Sequence, residues 1–242
     1  QPGFVKRKNE LWSLWSVSGL KEVYFSRLYD ADGKWQNKTI PMDNLFISNG
    51  GIILSNDWVA VPVTKVPSIG EKGRSNNILP EDEEVNTDHF IYTNDNGKNW
   101  QISAGTRAHR GSTWEATIWE PINGEIWMIA RNIGTEEKVQ KTPMTEAAGY
   151  NYSLDFGKTW MHEKRNVLPM ELSNSRPHVL NYGKRNIMAH NDYYTPSINH
   201  WEHRYNIALF FNRGPGVNFV AGPTIDNRMS EYPQMYIHKN QM

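Results

Sequence analysis

The sequence predicts an all-β protein, a β-propeller of four-stranded antiparallel blades, with about four blades and part of another in its 242 residues. Three observations carry this expectation. An eight-residue pattern recurs at blade spacing, strand–turn–strand units alternate with it, and the composition suits short strands joined by tight turns. The chain has 10 Trp, 11 Tyr and 8 Phe beside 18 Gly and 13 Pro. Aromatic side chains favour pleated, half-buried surfaces, and Gly and Pro favour turns. No apolar period of about 3.6 residues persists beyond a turn or two, so helix is a minor component.

The pattern reads Ser/Thr-x-Asp-x-Gly-x-x-Trp, with full copies from Thr93 to Trp100 and from Ser153 to Trp160. Degenerate copies run from Asp30 through Asp32 and Gly33 to Trp35, and from Gly214 through Gly216 to Phe219. The closing aromatics at 35, 100, 160 and 219 are 65, 60 and 59 residues apart. Repeats of about 60 residues with four short strands each describe propeller blades. In such a turn Asp accepts backbone N–H groups, Gly takes positive φ, and Trp packs between neighbouring sheets. Asp95 and Asp155 therefore read as structural.

Five hairpins interleave with these turns: Phe4 to Val17, Ile52 to Val63, Glu115 to Arg131, Arg176 to His190 and Tyr232 to Met242. Their turns carry Lys8-Asn9, Asn56-Asp57, Asn123-Gly124, Tyr182-Gly183 and Lys239-Asn240. The whole chain reads as one region with approximate blades 1–49, 50–112, 113–173 and 174–229 and a partial one, 230–242.

Composition excludes several classes. Lys+Arg and Asp+Glu both number 26, which argues against a general nucleic-acid binder. The longest apolar runs, such as residues 207–211, are far short of the ~20 residues of a membrane-spanning helix. The chain has no Cys, which removes disulfides, thiolate zinc sites and cysteine nucleophiles. No His pair stands at metal-binding spacing with carboxylates, so no catalytic metal and no cofactor is expected. Residues 1–10 contain no signal-peptide core and no initiator Met, so the chain reads as processed or partial.

The repeated turns resemble the Asp-boxes of the sialidase (neuraminidase) or BNR-repeat superfamily, and the resemblance covers essentially all 242 residues. It implies a propeller of sialidase type and an exo-acting hydrolase of a terminal acidic sugar. The glycan would be the partner, and the location secreted or periplasmic. Glu115 opens one strand of its hairpin and Arg131 closes the other, so both emerge at one end of the blade. They match by place and spacing the Glu that activates the family's tyrosine nucleophile and one of three arginines that clamp the substrate carboxylate. The third clamp arginine matches Arg204, and the nucleophile matches Tyr232, 28 residues later (232 − 204). The first-blade arginine and the acid/base aspartate have no counterpart in residues 1–242. The chain then holds blades two to five and the opening of six, with the missing blades supplied by further chain.

A second constellation points to a polysaccharide lyase on the same scaffold. Arg176 and His178, two apart on one strand face, could neutralise a uronate and abstract its C5 proton, with His109 or Tyr232 assisting. A third reading is a non-catalytic glycan-binding propeller.

Overall fold

The computed structural model describes residues 2–16, 22–29, 33–47, 49–66, 86–107, 112–133, 148–170, 172–173, 175–182, 184–193, 205–228 and 233–235. Their strands form four antiparallel sheets. Sheet one runs β1 (Gly3–Arg7), β2 (Glu10–Ser16), β3 (Val23–Tyr29) and β4 (Trp35–Ile40). Sheet two contains β5 (Leu45–Ile47), β6 (Ile52–Ile53), β7 (Val59–Lys65), β8 (Thr87–Thr93) and β9 (Gln101–Ile102), with β5 and β6 both paired to β7. Sheet three runs β10 (Ser112–Ile122), β11 (Glu125–Ile133), β12 (Ala148–Ser153) and β13 (Asn166–Val167). Sheet four runs β14 (His178–Tyr182), β15 (Arg185–Tyr193), β16 (Tyr205–Arg213) and β17 (Val220–Asp226). In sheets one, three and four neighbouring strands follow chain order, whereas in sheet two β5 pairs with β7 past β6. Four such meanders are compatible with propeller blades.

Three apolar layers join the sheets in series. Trp12, Leu14 and Phe25 of sheet one pack on Val59, Val61 and Val63. Ala60 and Phe90 pack on Ala116, Ile118 and Met128 of sheet three. Trp119, Trp127 and Ile129 pack on Val179, Met188 and Phe210 of sheet four. β7 shows the cause most plainly. It is buried from Val59 to Thr64 because alternate side chains face sheets one and three.

The two full repeats adopt one turn. Gly97 N–H donates to Thr93 Oγ1 at 3.0 Å, and Gly157 N–H donates to Ser153 Oγ at 2.8 Å. Those hydroxyls donate to Asp95 and Asp155 at 2.8 and 2.7 Å. Each carboxylate also accepts a backbone N–H four residues on, from Asn99 or Thr159, at 2.9 Å. Gly97 and Gly157 both have φ of 79°. A Cβ at Gly97 would strike Phe25, and one at Gly157 would strike Phe90, so each turn sits against the preceding sheet. Trp100 meets Phe25 and Trp160 meets Phe90, edge on, at 5.4 and 6.4 Å. Of the degenerate copies, residues 30–32 lie outside the described residues. So does the hairpin expected from Tyr232 to Met242, apart from residues 233–235. Among the described residues no helix is long and apolar enough to cross a membrane.

Candidate active site

The hairpin of β10 and β11 turns at Asn123 and Gly124, where Gly124 has φ of 84°. Its register sets Trp114 opposite Arg131 and Thr117 opposite Ile129. Two residues, Glu115 and Ala116, therefore oppose Ala130 alone, which is a β-bulge. Glu115 takes φ of 60° there, a conformation that glycine usually supplies at a bulge of this kind. For a residue with a Cβ it costs roughly 1–2 kcal/mol. The bulge brings the Glu115 carboxylate to Arg131, whose Nη1 donates to Oε2 at 3.2 Å. The residues are only 7% and 8% exposed, so the pair is shielded from bulk water. Trp114 beside it stacks on Phe46 of β5 at 4.8 Å, giving the pair an apolar neighbour.

A buried polar network lies behind Glu115. Its N–H donates to Thr64 Oγ1 at 3.3 Å, and the Thr64 hydroxyl donates to Asp88 Oδ1 at 2.6 Å. Asp88 Oδ2 accepts from the Thr113 hydroxyl and from Arg165 Nη1, the latter at 2.7 Å. Arg165 Nη2 donates to Asn132 Oδ1 at 3.2 Å. Asp88 and Arg165 are wholly buried. Burial pulls the Arg165 guanidinium below its ordinary pKa, and Asp88 opposes that.

The other expected constellation lies on sheet four. Its first strand begins at His178, so Arg176 stands in the irregular run before it rather than on the same strand face. Both are buried. Burial, with help from the Arg176 charge, lowers the His178 pKa to about 4. Met235 N–H donates to His178 Nδ1 at 3.2 Å. That fixes the neutral tautomer with its proton on Nε2. Asn49, wholly buried, ties the two constellations together. Its Nδ2 donates to Ala116 O at 2.8 Å and to Pro177 O at 3.2 Å. The chain beside Glu115 and the chain between Arg176 and His178 thus share one amide.

The structure brings Glu115 onto Arg131, and it places Arg176 and His178 at the adjoining sheet. His109, Arg204 and Tyr232 lie outside the described residues. Sequence reasoning missed Asn49, Thr64, Asp88 and Arg165. Asn49 precedes Gly50 and Gly51 and reads as a turn residue. Thr64 alternates with Val61 and Val63 as any strand threonine would. Asp88 in an otherwise strand-like run was the one available signal, because a carboxylate there is buried only when paired.

No protein-family model matches the sequence, and no curated protein matches it. Solved structures do. A Hadza microbial sialidase, Hz136, superposes with a TM-score of 0.66 at 15% identity, over 94% of this chain and 45% of its own. The fold is sialidase-like. The NanB sialidase of Streptococcus pneumoniae (K499G mutant) superposes with a TM-score of 0.56 at 13% identity, over 85% of this chain and 29% of its own. A GH43_1 enzyme from Xanthomonas citri, complexed with xylose, matches with a TM-score of 0.53 at 6% identity, over 92% of this chain and 72% of its own. The sialidase-like chain spans less than half the length of either sialidase.

Proposed function

We propose that this chain carries part of the active site of an exo-acting glycoside hydrolase that removes a terminal acidic sugar from a glycan. The observation behind this reading is the Glu115–Arg131 pair, held on a strained bulge at a junction of sheets in a sialidase-like fold. Strained, buried and charged groups of this kind cluster at functional sites. Tyr232 would attack the anomeric carbon and pass its phenolic proton to Glu115. As the tyrosyl–sugar bond forms, the glycosidic bond breaks, and the leaving oxygen takes a proton from an acid supplied outside residues 1–242. Water then cleaves the tyrosyl sugar. Arg131 and Arg204 would grip the sugar carboxylate through planar forks. The matched turns at Asp95 and Asp155 support the Asp-box reading and a propeller closed by further blades from outside these residues. A secreted or periplasmic location follows from the same reading.

The lyase alternative draws less support. With Nδ1 accepting from Met235 and the proton on Nε2, neither nitrogen of His178 has a lone pair free to take a C5 proton. The deciding assay incubates the full-length protein with a fluorogenic α-sialoside and, separately, with a uronate polysaccharide. Release of intact acidic sugar, abolished by Tyr232→Phe at unchanged Tm, is the expected result. Near-ultraviolet absorbance from an unsaturated uronide, or no release at all, would overturn the reading.

A further inference from the structure

The network behind Glu115 carries an inference about how the bulge is held, and it rests on the hydrolase reading only for its effect on turnover. Asp88 is acceptor-only as a carboxylate, so the Thr64 hydroxyl must spend its single hydrogen on Asp88 Oδ1. That leaves a lone pair of Oγ1 for the Glu115 N–H. The direction of this hydroxyl is therefore set by Asp88, and Asp88 is anchored by the wholly buried Arg165 guanidinium, with the Thr113 hydroxyl as an additional donor to the oxygen that Thr64 does not use. A backbone N–H displaced by a bulge loses its ladder partner and, when buried, needs another. Thr64 supplies it from β7 of the neighbouring sheet.

We propose that Thr64, oriented by Asp88, is a positioning residue: it satisfies the Glu115 N–H in its left-handed conformation and so holds the Glu115 carboxylate on Arg131. The hydrogen bonds run in one sense, from Glu115 N–H to Thr64 to Asp88, and Arg165 anchors the end. Arg165 Nη2 also reaches Asn132, the residue after Arg131, so both ends of the Glu115–Arg131 pair rest on one buried frame. A valine at 64 would keep the shape and lose the hydroxyl. Glu115 N–H would then be buried without a partner, and the bulge would relax towards a regular ladder, turning the carboxylate away.

The test uses the full chain with Thr64→Val, Thr64→Ser and Thr113→Val. Thr113→Val is the control, since it removes a donor from the same Asp88 carboxylate without touching the Glu115 N–H. Amide hydrogen exchange is the first readout and needs no activity. Thr64→Val should speed exchange at Glu115 by about tenfold relative to Ile118 and Met128, the worth of one lost hydrogen bond. Thr64→Ser should restore protection, and Thr113→Val should leave the ratio unchanged. Uniform loosening across β7, β8 and β10, or no change at Glu115, overturns the proposal. On the sialoside, Thr64→Val should lower kcat about tenfold with KM within about twofold, and Thr64→Ser should recover it. Selective exchange at Glu115 in a protein that releases no sugar would keep the positioning role and discard the hydrolase. A wild type that turns over, with kcat unaffected by Thr64→Val, would discard the positioning role alone.

Discussion

Replacing Glu115 by Gly and by Ala isolates the strain at the bulge. Both variants lose the carboxylate and its bond to Arg131, so that loss cancels in their difference. What remains is the Cβ at φ of 60°. Alanine keeps a penalty of roughly 1–2 kcal/mol that glycine lacks. Against this, glycine loses more unfolded-chain entropy on folding, about 0.4–1 kcal/mol. At the middle of both ranges, Glu115→Gly should therefore be more stable than Glu115→Ala by about 0.8 kcal/mol. For a chain of this size that is a Tm difference of about 1–4 °C. Urea unfolding of the two variants under one set of conditions gives the comparison directly. Equal midpoints, or a more stable alanine variant, would mean that residue 115 sits in an ordinary extended strand. The bulge, and the aim it gives the carboxylate, would then be wrong.

Other expectations follow from the same geometry. Arg165→Met strands a buried carboxylate and should cost about 3–5 kcal/mol in urea unfolding. Adding Asp88→Leu should recover part of that loss, and strictly additive penalties would contradict the pairing. His178 stays neutral in the folded protein down to about pH 4, whereas the unfolded chain takes a proton near 6.5. Unfolding thus takes up a proton in that window, and stability falls as pH drops from 6.5 towards 4, by about 3 kcal/mol in all. His178→Gln should remove that share of the slope; parallel curves for variant and wild type would show that His178 is solvated. Asp95 is lowered to about 2 from 3.8, first by the Asn99 backbone N–H. Its stabilising effect should be complete above 3.8 and disappear as pH falls through about 2, so Asp95→Asn should converge with wild type only in acid. A stability gap that persists unchanged through that range would assign it to something other than the charge.

The fold was legible because its signals are local. The turn of Thr93 to Trp100 is specified by a hydroxyl, a carboxylate and a glycine within five residues, and the same chemistry recurs 60 residues later at Ser153. Hairpins were legible for the same reason, since Asn123-Gly124 sets the pairing of β10 with β11 without reference to the rest of the chain. The second sheet shows where locality ends. β5, Leu45–Ile47, joins it ahead of the Ile52 hairpin, and only its packing with sheet one and β7 decides that.

The site divides along the same line. Glu115 and Arg131 could be paired on paper because one hairpin carries both. Nothing in the local sequence reveals that Glu115 is on a bulge, because the hydroxyl that accepts its displaced N–H, on Thr64, is 51 residues away. Asp88 and Arg165 are 77 residues apart, so even where Asp88 in its strand-like run hints at a buried partner, nothing local names Arg165 as that partner. Yet burying either is tolerable only with the other, so the pair could form only once sheets two and three had packed. The acid that orients Thr64 is thus a product of tertiary assembly, and the conformation of Glu115 depends on it in turn. A site of this construction is complete only when the sheets on both sides of it are in place. The chemistry-bearing carboxylate can be read from the sequence, whereas its aim cannot.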